Sequence, residues 1–389
     1  MNKNQLPVIS IVTPSFNRID FLDETIESVV SQAGRFFLQY IIQDGGSDPE
    51  IIRLYERWKH RLNSGIFPIR CEGVEFSYHV ENDQGMYDAI TRGFEKADGD
   101  ICAWINSDDL YHRGAFNTVA RTFESFPNVD WVTGQQTILD SSGSVVMISP
   151  YPDSYSSEFL RRGFYQGENA KFGFPFVQQE STFWRSALWK KIGGRISNIY
   201  DLASDYQLWR QFAHHAELVK IDTILGAFRM HEGQLSGNIA GYAAHLEETP
   251  EVGSLSSAIQ EVRAFIAADP VNRYLAYEPA FFQEKFSRLS IDLDWVLGKN
   301  IVWDHASSSW RLATVPLQTI GFQSYREALE ILNNDNPAVH LVKARALARH
   351  SLPSESLCHY HLYLDQVPED AIAAAERARI LNASPQFPS

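Results

Sequence analysis

Cysteine is nearly missing from this chain of 389 residues: three, Cys71, Cys102 and Cys358, lie far apart and form no CxxC pair. So sparse and odd a set excludes a disulfide framework and a thiolate zinc site, and fits free thiols in a reducing compartment. Long apolar runs are missing too. No stretch of about 18 apolar residues occurs, so no membrane span is expected. The opening residues, Met1-Asn2-Lys3-Asn4-Gln5-Leu6-Pro7, lack the apolar region of a signal peptide, and strand-like sequence follows at once. The expected location is cytoplasmic, with the inner face of a membrane open as a peripheral site. Basic residues are outnumbered: 34 Lys and Arg against 48 Asp and Glu give a formal charge of −14. That excludes nucleic-acid binding through a broad basic surface. It leaves an anionic small ligand open, because a metal ion and a few local cations reverse the field inside one cleft.

What is present points to a layered α/β protein of two or three domains. Strand-like and helix-like segments alternate through the first half. Strands are expected at 8–13, 39–43, 76–80 and 101–105, and helices at 20–32, 49–59 and 86–97. Repeated βα units imply a mostly parallel central sheet covered by helices. Pro49 suits the first turn of its helix, with Asp48 as the N-cap. Residues 129–134 open a new pattern, and 138–147 read as two strands around a Ser-Ser-Gly turn. Helices are expected at 186–191 and 205–214, and an extended segment at 218–230. Beyond about residue 240 the periodicity is mostly helical. The domains are therefore read as 1–240, α/β, and 241–389, an α-helical C-terminal region. Within the latter, segments around 328–348 and 360–380 resemble a pair of tetratricopeptide-like helical hairpins, with an ordinary helical bundle as the equal alternative.

The segment Trp104-Ile105-Asn106-Ser107-Asp108-Asp109 carries the most chemistry. Two adjacent carboxylates follow an apolar run that reads as a buried strand. Open α/β sheets bind ligands in the crevice at such strand ends. A Mg²⁺ or Mn²⁺ ion held there would bridge a diphosphate, since these ions favour one or two carboxylates plus phosphate oxygens. A helix cap in a solvated loop is the plainer alternative.

Several segments together resemble one family, the family-2 glycosyltransferases of the GT-A fold, inverting enzymes that use nucleotide-diphospho-sugars. They are Ile11-Val12-Thr13-Pro14-Ser15-Phe16-Asn17-Arg18, Ile41-Ile42-Gln43-Asp44-Gly45-Gly46-Ser47-Asp48, Glu81-Asn82-Asp83-Gln84-Gly85-Met86-Tyr87-Asp88-Ala89 and the acidic segment above. Gln178-Gln179-Glu180-Ser181-Thr182-Phe183, Ala203-Ser204-Asp205-Tyr206-Gln207-Leu208-Trp209 and Phe228-Arg229-Met230-His231 continue the match, which covers roughly 7–237.

The resemblance implies roles. Thr13, Pro14, Ser15 and Asn17 would pack on the nucleotide. Asp44 would bond the base, usually uracil. Asp83 would face the ribose or base, and Gly85 would give the diphosphate loop room. Asp109 matches the usual metal ligand of the DxD-type motif. Ser107 stands where many relatives carry Asp, and Asp108 fills the middle. His231 resembles a position that completes the metal shell or reaches the diphosphate. Asp205 is the expected general base, with Glu180 as runner-up. Each has a structural alternative: strand-to-helix turns rich in Pro, Ser and Asn, Asp-Gly turns, helix caps or a loop histidine. Arg92 is a phosphate contact or a surface arginine. Trp184, Trp189, Tyr206 and Trp209 are core or, alternatively, a platform for the acceptor sugar. Residues 155–176 are a lid or a plain loop.

The expected function is transfer of a sugar, UDP-linked, to a hydroxyl of a glycan or lipid-linked glycan. The alternative is a catalytically idle nucleotide-sugar-binding module that recruits partners through its helical tail. A nucleotidyltransferase ranks below both, because Thr13-Pro14-Ser15-Phe16-Asn17-Arg18 lacks the Gly-rich loop such enzymes place after the first strand. The tail leaves acceptor binding, homo-oligomerisation and docking to a glycan-assembly complex open.

Overall fold

The computed structural model describes residues 6–148, 155–165, 176–197, 202–234, 241, 297–304, 309–316, 340, 344, 353–368 and 370–383. The chain divides into two compact units, Met1–Val252 with Gly298–Ala313, and Gly253–Leu297 with Thr314–Ser389.

The first unit begins with β1 (Val8–Ser15), α1 (Leu22–Val30), β2 (Phe37–Asp44), α2 (Pro49–Asn63), β3 (Gly73–Val80), α3 (Met86–Glu95) and β4 (Ile101–Trp104). β1 and β2 are buried along almost their whole length, on both faces, as strands of a covered parallel sheet must be. The helices supply the cover. Ile26, Val29 and Val30 of α1 are fully buried, and Pro49 opens α2 where its missing N–H costs nothing. Asp48 stands at the N-cap of α2, but its side chain makes no capping bond.

Next come β5 (Leu110–Tyr111), α4 (Ala115–Ser125), β6 (Trp131–Gln135), β7 (Thr137–Leu139), β8 (Val145–Ile148), α5 (Ser157–Arg161), β9 (Thr182–Arg185), α6 (Ser186–Lys191), α7 (Ser204–Ala213), β10 (Leu218–Ile224) and β11 (Gly226–Arg229). β7 and β8 pair antiparallel around the turn at Ser141-Ser142-Gly143, the hairpin expected from sequence. The extended segment at 218–230 is two strands, and they join different sheets.

β12 (Leu297–Asp304) and β13 (Ser309–Pro316) correct the sequence reading. They lie in the stretch read as helical, yet they extend the first unit's sheet to nine strands, in the order β13-β12-β10-β6-β9-β4-β1-β2-β3. Ile301, fully buried, is paired with Ile221 of β10. Two short strands with β-branched residues were masked by the helical periodicity around them.

The sheet is parallel at β3-β2-β1-β4 and at β6-β10-β12, and β9 runs antiparallel between β4 and β6. The α/β class and mostly parallel sheet read from the sequence are present. Register decides where the site forms. Ser15 lies opposite Asp44, Asp44 opposite Val80, and Val12 opposite Trp104. The loops after β1, β2, β3 and β4 therefore leave the sheet along one edge, the crevice predicted by strand order.

In the second unit, α8 (Pro353–Leu364) and α9 (Ala371–Ala383) bury Tyr360, Tyr363 and Ala373 with Ala344, flanked by Leu364, Val367 and Ile380. The Tyr363 hydroxyl donates to Asp370 at 2.9 Å, and Tyr360 to Glu376 at 3.1 Å. These helices fall on the second expected hairpin; the first, apart from positions 340 and 344, lies outside the described residues. No helix among the described residues is long and apolar enough to cross a membrane.

Close packing of α3 on β1 depends on Gly93. A Cβ there would stand 2.4 Å from Val12 Cγ1, a fully buried side chain. Alanine gains about 1 kcal/mol of helix propensity, whereas overpacking costs about 1–3 kcal/mol. Gly93→Ala is expected to lower unfolding free energy by about 1 kcal/mol net in urea melts. Unchanged or higher stability would contradict this packing.

Candidate active site

A cavity of about 1390 Å³ opens at the crevice where the strand loops meet. Pro14, Ser15, Gly45, Asp83, Gly85 and the run Asn106 to Asp109 line it on the sheet side. Gln179, Glu180 and Asp205 close the other side, with Phe228, Met230 and Gln234 at a third.

The acidic pair divides by environment. Asp109 is buried. Its Oδ1 accepts the Arg229 backbone N–H at 2.8 Å, and its Oδ2 accepts the Asn106 amide at 3.3 Å. Its carboxyl also shares a hydrogen bond with Glu180. Burial, and then the neighbouring carboxylates, push the Asp109 carboxyl well above the usual carboxylate range. Burial likewise raises Glu180. Two acids pressed together out of water retain a proton between them.

Asp108 reaches further into the cavity. Its Oδ2 lies 3.0 Å from His231 Nε2. His231 Nδ1 lies 2.7 Å from the Glu232 carbonyl, so Nδ1 carries the proton and Nε2 presents a lone pair in the neutral ring. Lone pairs of Asp108 and His231 thus face each other, an arrangement that asks for a cation or a proton between them. A carbonyl-bonded Nδ1 is the usual orienting device for a metal-binding imidazole. Neighbouring ligands of an octahedral Mg²⁺, each at about 2.1 Å, stand about 3.0 Å apart. A carboxylate oxygen with an imidazole nitrogen is a mixed pair that suits a divalent ion such as Mn²⁺ better than the harder Mg²⁺. Among the described residues no group of three or more His, Cys, Asp or Glu converges for a metal.

Asp205 begins α7 and faces the cavity. Burial pushes its carboxyl up to about 6, opposed by bonds from the Tyr206 backbone N–H at 2.8 Å and the Tyr87 hydroxyl at 3.4 Å. An acid of that strength accepts a proton near neutrality.

The remaining expected residues separate into those at the cavity and those behind it. Pro14, Ser15, Asp83, Gly85 and Ser107 line it. Burial raises the Asp83 carboxyl, whose Oδ1 accepts the Gly85 N–H at 2.9 Å. Gly85 stands at φ +115°, a conformation that favours glycine. Thr13, Asn17 and Asp44 are absent from the lining. The Thr13 hydroxyl is 3.0 Å from that of Tyr40. Asp44 is fully buried, taking N–H bonds from Gly46 and Ser47 at 2.9 and 2.6 Å and the Tyr55 hydroxyl at 2.6 Å. It builds the turn that presents Gly45 and Gly46. Asn17 ties the first loop to the second: its N–H donates to Ser47 Oγ and its Oδ1 accepts from the Asp48 N–H, both at 2.8 Å.

Arg92 forms an ion pair with Asp88 at 2.7 Å and is not in the lining. Trp184, Trp189, Tyr206 and Trp209 are buried; Trp209 lies stacked between Trp104 and Trp131. They are core, and the platform reading fails for them. The expected lid contributes buried Tyr155, Phe159, Phe164 and Tyr165, while 166–175 lie outside the described residues.

Sequence reasoning missed Phe16 and Arg229. Phe16 is 64% exposed while lining the cavity, a flat apolar surface at its mouth. Arg229 is buried and donates to the Asp108 carbonyl at 2.8 Å, the Ser141 carbonyl at 3.3 Å and Glu24 Oε2 at 2.6 Å, with its guanidinium 4.6 Å from the Phe21 ring centre. Its neighbour His231 stood out as a metal-type residue; an arginine two positions earlier gave no signal of its own.

Residues 10–186 match the model of Glycosyl transferase family 2. An uncharacterized glycosyltransferase of Mycobacterium tuberculosis is 26% identical over 301 residues, covering 73% of this chain and 98% of that protein. The putative teichuronic acid biosynthesis glycosyltransferase TuaG of Bacillus subtilis is 26% identical over 112 residues, 28% of this chain and 39% of its own. Among solved structures, S. aureus TarS 1–349 in complex with UDP-GlcNAc aligns with a TM-score of 0.43 at 14% identity, covering 98% of this chain and 93% of that one.

Removing the Arg229 side chain leaves Glu24, the Asp108 carbonyl and the Ser141 carbonyl without their donor. Arg229→Met is expected to cost about 2–4 kcal/mol of stability, below a fully buried pair because Glu24 is half in water. Denaturant melts check this, and a loss under about 0.5 kcal/mol would be no more than an ordinary surface change.

Proposed function

We propose, for a chain whose residues 10–186 match the model of Glycosyl transferase family 2, that the cavity transfers a sugar from a UDP-sugar to a hydroxyl of a glycan, with inversion at the sugar carbon. The observation that carries this reading is the placement of Asp205, an acid titrating near 6, across the same cavity as the Asp108–His231 pair.

Donor binding follows from the loops. Asp83 accepts from a base N–H or ribose hydroxyl, and Phe16 offers its face to the base. Gly45 and Gly85 leave room for backbone to approach the ribose and diphosphate. Asp108 and His231 would hold Mn²⁺ or Mg²⁺, which supplies Lewis-acid neutralisation of charge on the departing diphosphate. Asp109, with both oxygens engaged, holds the loop that presents Asp108 and stands behind the ion rather than in front of it.

Asp205 removes the acceptor proton. The acceptor oxygen bonds to the anomeric carbon as the carbon–phosphate oxygen bond breaks, and the electron pair leaves with the nucleoside diphosphate. One displacement on the face opposite the leaving group inverts the centre. Glu180 is the weaker candidate base because its carboxyl is already bonded to Asp109. The relative carrying teichuronic acid biosynthesis in its name supports a glycan acceptor.

Two outcomes test the assignment. Asp205→Asn is expected to retain donor binding and lose transfer by about a hundredfold or more, as removal of a general base does. In the wild type, kcat should fall as pH drops below about 6, where Asp205 takes up a proton and can no longer accept one. Retained turnover, or a rate flat through that range, would dismiss Asp205 as the base. Separately, Asp108→Asn and His231→Gln should each weaken Mn²⁺-dependent UDP binding in calorimetry while leaving uridine affinity unchanged; an effect from Asp109→Asn alone would return the ion to Asp109.

A further inference from the structure

Five acidic side chains line the cavity among the described residues, Asp83, Asp108, Asp109, Glu180 and Asp205, with one proton retained between Asp109 and Glu180. A diphosphate cannot enter such a field without positive charge. Among the described lining residues, Arg18 is the one lysine or arginine.

The two other arginines near the site are spoken for. Arg229 is buried and paired with Glu24, and Arg92 is paired with Asp88. Arg18 differs. Its Nη1 lies 3.4 Å from His231 Nε2, and its Nη2 donates to the Gly233 carbonyl at 2.8 Å. Neither partner is a carboxylate, and an ion on His231 Nε2 would release Nη1, so the guanidinium keeps N–H donors to spare. It stands beside the imidazole that faces Asp108, where the ion and the diphosphate would meet.

The loop is built to hold it there. Asn17 is the only non-glycine among the described residues at positive φ, 49°. That conformation costs energy for a residue with a side chain, and asparagine tolerates it best. Two 2.8 Å bonds to the second loop fix it. Turned this way, Asn17 stays out of the lining while its neighbours Phe16 and Arg18 both enter it.

We infer that Arg18 grips the donor diphosphate and stabilises it as it leaves, a catalytic residue beside the Asp108–His231 pair, with Asn17 as the positioning residue that aims it. This rests on the nucleotide-sugar reading of the cavity. Arginine's planar fork suits two phosphate oxygens, where lysine offers a single point of charge.

Calorimetry separates this from a structural role. UDP, GDP, ADP, CDP and dTDP, and the matching nucleosides, are titrated with Mn²⁺ into wild type, Arg18→Gln and Arg18→Lys. Arg18→Gln is expected to weaken the preferred nucleoside diphosphate about tenfold to hundredfold, the scale of lost charge-assisted hydrogen bonds. Its nucleoside affinity should stay within about twofold, and Arg18→Lys should recover part of the loss. Equal weakening of diphosphate and nucleoside, or none of either, overturns the assignment. If wild type binds no nucleoside diphosphate at all, the proposed function itself falls and takes this inference with it.

Discussion

The guanidinium of Arg229 holds together what the rest of the site depends on. It is buried where the loop after β4, the N-terminal turn of α1 and the β7–β8 hairpin meet, and it bonds to each of them. Its own backbone N–H fixes Asp109. The acidic loop is therefore set by two bonds from one residue, whose two others tie it to α1 and the hairpin, rather than left to find its shape in solvent. Only with that loop fixed does Asp108 stand against His231, two residues further along the same chain. A charge buried this completely is costly to leave unpaired, and so the arrangement forms as a whole or not at all.

Two carboxylates in sequence have been given opposite tasks by their surroundings. Asp109 faces inward, bonded at both oxygens and sharing a proton with Glu180. Asp108 faces outward, with its oxygen opposed to an imidazole lone pair. Across the cavity, Asp205 is desolvated enough to be pushed up to about 6, so that it stands ready to accept a proton near neutral pH without being locked by a partner acid. One acidic cavity thereby separates the proposed cation site from the proposed base, the division a displacement reaction needs.

Much of this was legible in the sequence because strand ends are strongly marked. Thr13-Pro14-Ser15, Asp44-Gly45-Gly46 and Asn106-Ser107-Asp108-Asp109 each follow an apolar run, and parallel register alone brings them to one edge. What stayed hidden was direction. Asp44 and Asp83 read alike in sequence, yet one is sealed in its turn by Tyr55 and the other lines the cavity. Asp108 and Asp109 are adjacent, and only tertiary bonds decide which faces out. Trp184 and Trp209 could have stacked on a sugar; burial against Trp104 and Trp131 settles them as core. β12 and β13 were missed because two eight-residue strands interrupt a stretch whose periodicity is otherwise helical.

The most direct test is chemical. Wild-type protein is incubated with a panel of nucleotide-diphospho-sugars, with Mn²⁺ or with a chelator, and release of nucleoside diphosphate is measured. The account predicts saturable release from a uridine-linked sugar that needs the ion and rises when a glycan acceptor is added. Release from no donor on the panel, or release that is indifferent to the chelator, would contradict it.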